Sequence, residues 1–285
     1  MTPVSKDAHT ITSKGYEVVA GEYNLAKGGE NPHKVPQFTD MYAKRQWMLE
    51  HMAGAFRIFG RKGYAEGSAG HVSIKDPVTP GTFWINPLNK HFSLMKKSDM
   101  VHIDWECNVL PDGNQAAVNA AGFSIHAAIH KARPDIVAAC HTHSMYGKAY
   151  SAFGKPLDMI NQDACLFHNR HVVFSNFGGI ALDEREGEEI AESLGETGVA
   201  AILQNHGLLT VGTTVDEAAY FFTLLENSCH AQLLVDACVG KKPVIIEDET
   251  AKYTCDMSGD SATMYSEFQP DYELELELTN GAFLK

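Results

Sequence analysis

A short apolar run that ends in two histidines places the strongest constraint on this sequence. Residues 136–140 read Ile-Val-Ala-Ala-Cys, which has the length of a buried strand, and Thr142 separates His141 from His143 just beyond it. Because residues two apart on a strand point to the same face, both imidazoles are directed at one point. Two nitrogen ligands at a strand end, where loops open to solvent, are typical of a divalent-metal site.

A second apolar run supplies a third candidate ligand. Residues 200–203 are followed by Gln204 and Asn205 and then by His206 and Gly207. Two strands that end in histidine within one compact domain predict a metal site made of His141, His143 and His206. The alternative is that these are ordinary core histidines, and a single histidine would favour that interpretation. The His-x-His pattern together with the second strand end favours the metal site.

Composition limits the class of protein and its partners. The chain has 285 residues, a hydrophobic content of 44% and a net charge of −13. This charge argues against nucleic-acid and anionic-membrane partners, and the partner that we expect is a small-molecule substrate. No apolar run approaches the roughly 20 residues that span a bilayer, and the N-terminus lacks the apolar segment of a secretory signal. Six scattered cysteines without Cys-x-x-Cys spacing indicate reduced thiols, so a cytoplasmic protein is expected.

The chain divides by composition into three parts. Residues 1–37 are polar and contain glycine and proline, so an N-terminal arm is expected there. Residues 38–240 carry the helix and strand patterns of a folded domain. Residues 241–285 are expected to form an extension that packs on this domain or on a neighbouring subunit. Within that extension, 243–246 predicts a strand and the acidic stretch 271–277 predicts an extended arm.

The domain alternates between helix and strand patterns. Helices are predicted at 40–61 with Thr39 as N-cap, 116–132, 144–153, 183–194 and 215–237 with Thr214 as N-cap. Strands are predicted at 71–75, 83–86, 100–104, 108–110, 136–143, 172–174, 198–203 and 208–211. This order, which mixes crossovers with hairpins, predicts one α/β domain with three α/β/α layers around a central mixed sheet.

Two further patterns have both a functional and a structural interpretation. Gly70-His71-Val72-Ser73 leads into a strand, and small residues at that point allow a ligand to approach the backbone closely. An ordinary strand entry would look the same. His126 and His130 lie four residues apart on one helical face and are either ligands or residues of the helix surface or core.

Taken together, these motifs resemble the class II aldolase/adducin family over residues 42–239. The resemblance rests on the stretch from Gly70 to Ser73, on His141-Thr142-His143 and on Asn205-His206-Gly207, with supporting matches around 125–135 and 215–218. It implies the α/β/α fold, a divalent metal on the three histidines, and a homotetramer with sites near subunit interfaces. Zn2+ is the metal most expected, with Fe2+, Mn2+ and Co2+ left open.

The departures from the family pattern bear on the substrate. Sugar-phosphate aldolases of this family place a catalytic glutamate where this chain has Gly122. Their phosphate pocket uses a Gly-Asn pair in place of Gly70-His71 and a Ser-Gly pair in place of Leu88-Asn89. In those aldolases a tyrosine from the neighbouring subunit acts as the acid, and its position aligns near Gln162 of this chain. The metal ligands are therefore retained while the base, the phosphate clamp and the acid are changed.

These observations predict a metal-dependent lyase, of the decarboxylase or retro-aldolase type, for a small unphosphorylated hydroxy, keto or aromatic acid. Decarboxylation needs no base to remove a proton from carbon, which agrees with the missing glutamate. The candidate catalytic residues are His71, His126 and Gln162. The candidate substrate-binding residues are Gly70, Ser73, Asn86 and Gly122. Whether His168 takes part is left open.

Two other functions stay open at the level of sequence. The first is a non-haem iron oxygenase, because oxidative decarboxylases of aminocoumarin biosynthesis are similar to this family. The second is a non-catalytic, adducin-like interaction protein, which the intact set of three histidines disfavours. Gly122 itself needs an explanation, since glycine inside a helix costs about 1 kcal/mol relative to alanine. Either close packing or space for a substrate would offset that cost.

Overall fold

The computed structural model describes residues 9–12, 14–15, 17–31, 33–179 and 184–285. The described residues form nine strands: β1 (His9–Ile11), β2 (Glu17–Val19), β3 (His71–Lys75), β4 (Phe83–Ile85), β5 (Val101–Ile103), β6 (Ala138–Thr142), β7 (His171–Phe174), β8 (Ala200–Leu203) and β9 (Gly207–Gly212). They also form eight α-helices: α1 (Met41–Arg61), α2 (Ala120–Ala132), α3 (Met145–Ser151), α4 (Gln162–Cys165), α5 (Glu184–Leu194), α6 (Val215–Asp236), α7 (Asp248–Ser258) and α8 (Ser261–Thr279).

Seven of these strands form one mixed sheet in the order β5-β4-β3-β6-β9-β8-β7, and β1 pairs with β2 separately. Strands β7 and β8 are parallel, whereas the other neighbours in the large sheet are antiparallel. The two faces of the sheet bury different helices. Ala138 and Cys140 of β6 belong to a core cluster with α1, α6 and α8, while Ala139 belongs to a cluster with α2 and α5. The predicted three-layer α/β/α architecture is confirmed.

Several helices start after a capping side chain, and two of these starts differ from the prediction. Helix α1 begins after Asp40, whose carboxylate accepts the Tyr42 N–H at 2.8 Å, so the predicted cap at Thr39 is one residue early. Helix α2 begins at Ala120, not at 116, because Asn119 Oδ1 accepts the Gly122 N–H at 3.0 Å. Gly122 therefore lies in the first turn of α2. The cap predicted at Thr214 is confirmed.

The C-terminal residues depart most from the sequence-based expectations. The stretch 271–277 is not an extended arm but part of α8, which packs against α1 and α6. Its carboxylates do not keep it extended because Phe268 and Tyr272 are buried and Glu275 pairs with Arg61 at 2.6 Å. Residues 243–246 form no strand.

Smaller differences concern the edge of the sheet and one helix start. The strand predicted at 108–110 is reduced to a single bridge between Val109 and Ile103. The predicted start of α5 at residue 183 lies outside the described residues. Among the described helices, none combines the length and the apolar character that crossing a membrane requires.

Candidate metal centre and the pocket around it

The pairing of β6 with β9 brings the three candidate ligands together. His141 lies opposite Leu209 in this antiparallel pair, and the tight link between β8 and β9 carries His206 back beside the end of β6. Asn205 in that link adopts φ +59°, a left-handed conformation that asparagine tolerates better than most residues. A Cβ at Gly207 would lie 2.7 Å from the Thr142 carbonyl oxygen. The Asn-His-Gly sequence thus suits both the left-handed turn at Asn205 and the close approach of Gly207 to the end of β6.

The three imidazoles face one another at the distances expected of a ligand set. One side-chain nitrogen from each of His141, His143 and His206 lies within 4.8 Å of the others. Their ring centroids are 4.7–5.1 Å apart. The His141 Nδ1–H donates to the Leu208 carbonyl at 2.8 Å, which fixes the ring and leaves Nε2 to face the other two.

The environment of these rings favours the neutral form that binds a metal. Burial lowers the pKa of His141 well below its ordinary value, and it also lowers the pKa of His143. Burial and the neighbouring His143 lower the pKa of His206 to about 4. Three neutral imidazoles at one point, with the His141 tautomer fixed from behind, fit a divalent ion. The donor set suits Zn2+ and also Fe2+.

His71 joins this cluster from the neighbouring strand. It lies opposite His141 in the β3–β6 pair, with ring centroids 4.9 Å apart. Its Nε2 occupies the space beside Gly122, where a Cβ on residue 122 would lie only 2.1 Å away. Close packing therefore accounts for the glycine. The imidazole of His71 occupies the space that any side chain at position 122 would enter.

A buried row of polar side chains runs away from the pocket behind His71. His71 Nδ1 lies 3.0 Å from His126 Nε2, and His126 Nδ1 lies 2.8 Å from Ser73 Oγ. Ser73 Oγ lies 2.9 Å from His130 Nε2. His126 and Ser73, which were predicted as a catalytic and a substrate-binding residue, are fully buried and do not line the pocket. The structure thus places them behind His71, out of reach of a substrate.

The other predicted residues have mixed positions. Gly70 lines the pocket and adopts φ +93°. Asn86 does not line it, because its buried side chain accepts the Val72 N–H at 3.3 Å and donates to the Gly70 carbonyl at 3.4 Å. Asn86 thus supports the loop instead of contacting a ligand. Gln162 is exposed at the first residue of α4 and is not among the residues that line this pocket of the single chain.

The pocket has a volume of about 700 Å3 and includes residues that sequence reasoning missed. The described lining residues missed in this way are Glu66, Ser68, Ala69, Asn119, Ala121, Ile125, Lys148, Ala152, Phe177, Gly179 and Asn205. Asn205 could have been found as the neighbour of His206, and Lys148 as a cation five residues after His143. The carboxylate of Glu66 lies 2.6 Å from Lys148 Nζ, and no sequence pattern around Glu66 points to the pocket.

Neither His168 nor the Leu88-Asn89 pair lines the pocket. His168 lies near Asp248, with its Nε2 3.4 Å from a carboxylate oxygen. Asn89 adopts φ +62°, which a glycine at that position would adopt readily. The pair therefore preserves a backbone shape without adding a hydroxyl group to the pocket.

Known proteins with this architecture give the site its context. Residues 50–233 match the family described as class II aldolase and adducin N-terminal domain. "Decarboxylase NovR" of Streptomyces niveus is 40% identical, covering 87% of this chain and 91% of that protein. The "4-hydroxy-3-prenylphenylpyruvate oxygenase/4-hydroxy-3-prenylbenzoate synthase" of Streptomyces roseochromogenus is also 40% identical, with 87% and 89% covered.

A comparison with a solved structure supports the same family as these relatives. The L-fuculose 1-phosphate aldolase from Glaciozyma antarctica superposes with a TM-score of 0.82 at 38% identity, covering 88% of this chain and 97% of that one. The family match, the shared fold and the decarboxylase-named relative agree with one another. The chain therefore belongs to the class II aldolase and adducin family.

Proposed function

We propose that this protein is a metal-dependent carbon–carbon lyase, of the decarboxylase or retro-aldolase type, for a small unphosphorylated hydroxy, keto or aromatic acid. One observation carries the proposal. The ring of His71 occupies the space that a side chain at position 122 would need, and it lies next to the intact set of three histidines. The relatives named as a decarboxylase and as a prenylbenzoate synthase support a substrate of this kind.

His141, His143 and His206 would hold the metal, with Zn2+ as the ion we expect. When bound, a divalent ion there would polarise a carbonyl group of the substrate and stabilise negative charge as the carbon–carbon bond breaks. His71 is the residue that transfers a proton at this position, since its Nε2 faces the pocket beside Gly122. Gly70, Ala121 and Ile125, which line the pocket, contact the body of the substrate.

The charges around the pocket disfavour a phosphorylated substrate. Lys148 is the only lysine or arginine among the lining residues that the structure describes, and Glu66 already binds it through both carboxylate oxygens at 2.6 Å. Lys75, another candidate for binding an anion, donates instead to the carbonyls of Arg133 and Pro134. A dianionic phosphate would therefore lack the cations that usually bind it.

Metal content tests the ligand assignment. His141→Ala should lose most of its bound metal, because two imidazoles hold a divalent ion far more weakly than three. His168→Ala is the matched control, since it also removes an imidazole but one that does not line the pocket. Elemental analysis of protein purified without chelator measures both. Full metal occupancy in a folded His141→Ala protein would overturn the assignment.

A substrate panel tests the reaction. Metal-loaded protein is incubated with aromatic hydroxy and keto acids, with short aliphatic keto acids, and with fuculose and ribulose phosphates. Release of CO2 or of an aldehyde fragment from an unphosphorylated acid is the expected result. Efficient cleavage of a sugar phosphate, with the acids left intact, would contradict the proposal.

An oxygenase is the second candidate, and one relative's name favours it specifically. That relative is called an oxygenase as well as a synthase, and a set of histidines can hold Fe(II). Oxygen consumption during turnover distinguishes the two candidates. Turnover under argon supports the lyase, whereas strict dependence on iron and oxygen supports the oxygenase.

A further inference from the structure

A lysine–glutamate ion pair forms part of the pocket lining close to the metal ligands. Lys148 on α3 and Glu66 in the loop before β3 both line the pocket, and Lys148 Nζ lies 2.6 Å from each oxygen of the Glu66 carboxylate. Both charges act on the metal ligand His143, since the negative charge of Glu66 raises its pKa and the positive charge of Lys148 lowers it. The pair therefore lies within electrostatic reach of the candidate metal centre.

The backbone that carries Lys148 is held by the fold. Helix α3 begins two residues after His143. The carboxylate of Glu226, a buried residue of α6, accepts the backbone N–H groups of Tyr146 and Gly147 at 2.9 and 2.6 Å. These hydrogen bonds fix the first turn of α3 next to the metal ligand that precedes it. The position of Lys148 relative to the metal centre is therefore set independently of its contact with Glu66.

The Glu66 side chain, in contrast, is easily exchanged for another partner. It is 53% exposed, and the side chain of Lys148 is 33% exposed. An ion pair this exposed contributes little to stability, because water competes for both charges. The main chain of Glu66 is fixed separately by a tight turn, in which its carbonyl accepts the Ala69 N–H at 2.9 Å. The carboxylate can therefore leave Lys148 and enter water without a movement of the loop.

A carboxylic acid matches the group that Glu66 would leave behind. Its carboxylate has the same single charge and the same two acceptor oxygens, so Lys148 exchanges one charge-assisted hydrogen-bonded partner for another. A phosphate dianion would bring two charges to this one ammonium group. The lining also offers the apolar side chains of Ala69, Ile125 and Phe177, which suit the body of an aromatic acid.

We propose that Lys148 binds the carboxylate group of the substrate and that this carboxylate replaces Glu66 as the partner of the ammonium group. Lys148 is then the residue that selects monocarboxylic acids over esters, aldehydes and sugars, which lack the anion. This specificity rests on the proposed function, because it names the group by which that enzyme recognises its substrate. The binding of a carboxylate by Lys148 is nevertheless measurable whether or not the acid is cleaved.

Two probes that differ in one group test the recognition of the carboxylate. Benzoylformate is an aromatic keto acid, and acetophenone has the same ring and carbonyl group with a methyl group in place of the carboxylate. Ligand-observed NMR titrations with zinc-loaded protein measure the Kd of each probe. The parent protein should bind benzoylformate more tightly than acetophenone. An affinity for benzoylformate no greater than that for acetophenone would overturn the proposal.

Variants of the pair test the two partners separately. Lys148→Met should weaken the binding of benzoylformate about tenfold, the usual effect of losing a hydrogen bond to a charged group, and should leave acetophenone unaffected. Lys148→Arg keeps the charge and should recover most of the affinity. Glu66→Gln removes the competing carboxylate and should tighten the binding of benzoylformate by up to about fivefold. An unchanged Kd for benzoylformate in either Lys148→Met or Glu66→Gln would overturn the exchange.

A second exposed ion pair supplies the matched controls. Lys155 Nζ lies 2.8 Å from a carboxylate oxygen of Asp236, the two side chains are 40% and 31% exposed, and neither residue lines the pocket. Lys155→Met and Asp236→Asn make the same changes in charge and should leave the Kd of both probes unchanged. A loss of benzoylformate binding in Lys155→Met as large as that in Lys148→Met would show that net charge, and not the contact, controls the affinity.

Turnover separates this proposal from the proposed function. If the titrations give the expected pattern and no acid in the substrate panel is cleaved, the lyase assignment fails while the role of Lys148 stands. If an acid is cleaved and Lys148→Met leaves its KM and the Kd of benzoylformate unchanged, the lyase assignment stands and the role of Lys148 fails. With a cleaved acid, Lys148→Met should raise KM more than it lowers kcat, as expected for a binding residue.

Discussion

At the scale of single residues, the contact between Gly122 and His71 has a consequence opposite to the one expected from helix propensity. Propensity alone predicts that Gly122→Ala stabilises α2. The added Cβ would lie 2.1 Å from His71 Nε2 and within 2.8 Å of two ring carbons. Since His71 is held from behind by His126, the ring cannot move without breaking a buried hydrogen bond.

We therefore expect Gly122→Ala to lower the free energy of unfolding by about 1–3 kcal/mol, the usual cost of overpacking a core. Thermal unfolding of metal-free protein measures this change. Ala121→Ser, one position earlier on α2 and partly exposed, is the control for a small substitution in the same turn. A Gly122→Ala protein more stable than its parent would show that His71 has room to move.

At the scale of secondary-structure elements, α8 gives the clearest contrast between buried and exposed positions. Phe268 is completely buried against α1 and α6, whereas Leu278 on the same helix is 57% exposed. Phe268→Ala should cost about 3–5 kcal/mol of stability, since it removes a large buried ring. Leu278→Ala should cost far less. Urea unfolding of the two variants measures the difference, and equal losses would mean that α8 does not pack on the domain in solution.

The same scale shows what the sequence could and could not predict. The set of three histidines was predictable, because strand periodicity directs His141 and His143 to one side and the motif at His206 marks a second strand end. The contacts of His71 and Ser73 with His126 and His130 were not predictable, because they depend on how α2 packs over β3, a long-range contact without a sequence period. Helix α8 was not predicted, because its acidic residues interrupt the apolar pattern of its buried face. Its N-cap residue, Asp260, was not predicted either.

At the scale of the whole molecule, several large apolar side chains on and after α3 and in the pocket lining are exposed. Met145, the first residue of α3, is 61% exposed, and Phe153, two residues beyond the end of α3, is 59% exposed. Phe177 in the pocket lining is 50% exposed. Such side chains favour burial between subunits. We predict a homotetramer, with a solution mass about four times the 31.2 kDa of one chain.

Light scattering tests this prediction at micromolar concentration. Phe153→Asp should lower the oligomeric mass, because it places a charge in the apolar contact. Leu278→Asp, an equally exposed site on α8, should leave the mass unchanged. A monomeric parent protein would contradict the tetramer.

Stability against acid also belongs to the whole molecule, because several buried histidines contribute to it together. In the folded protein the pKa of His206 is about 4 and that of His130 about 3, both below the ordinary value of 6.5. Burial also lowers the pKa of His71, His126, His141, His143 and His171. The unfolded chain therefore binds more protons than the folded chain once the pH falls below about 6.5. The stability contributed by the neutral rings is complete above that pH and is lost as the pH falls toward the folded-state values.

Metal-free protein should accordingly lose stability between pH 7.5 and pH 5.5, a window that lies above the titration of most carboxylates. Each histidine that the unfolded chain protonates in excess adds up to about 1.4 kcal/mol per pH unit to the slope. Urea unfolding across this window measures the slope directly. His130→Leu, which removes one buried imidazole, should have a smaller slope than the parent. A free energy of unfolding that is constant from pH 7.5 to pH 5.5 would mean that these rings do not stay neutral in the folded protein.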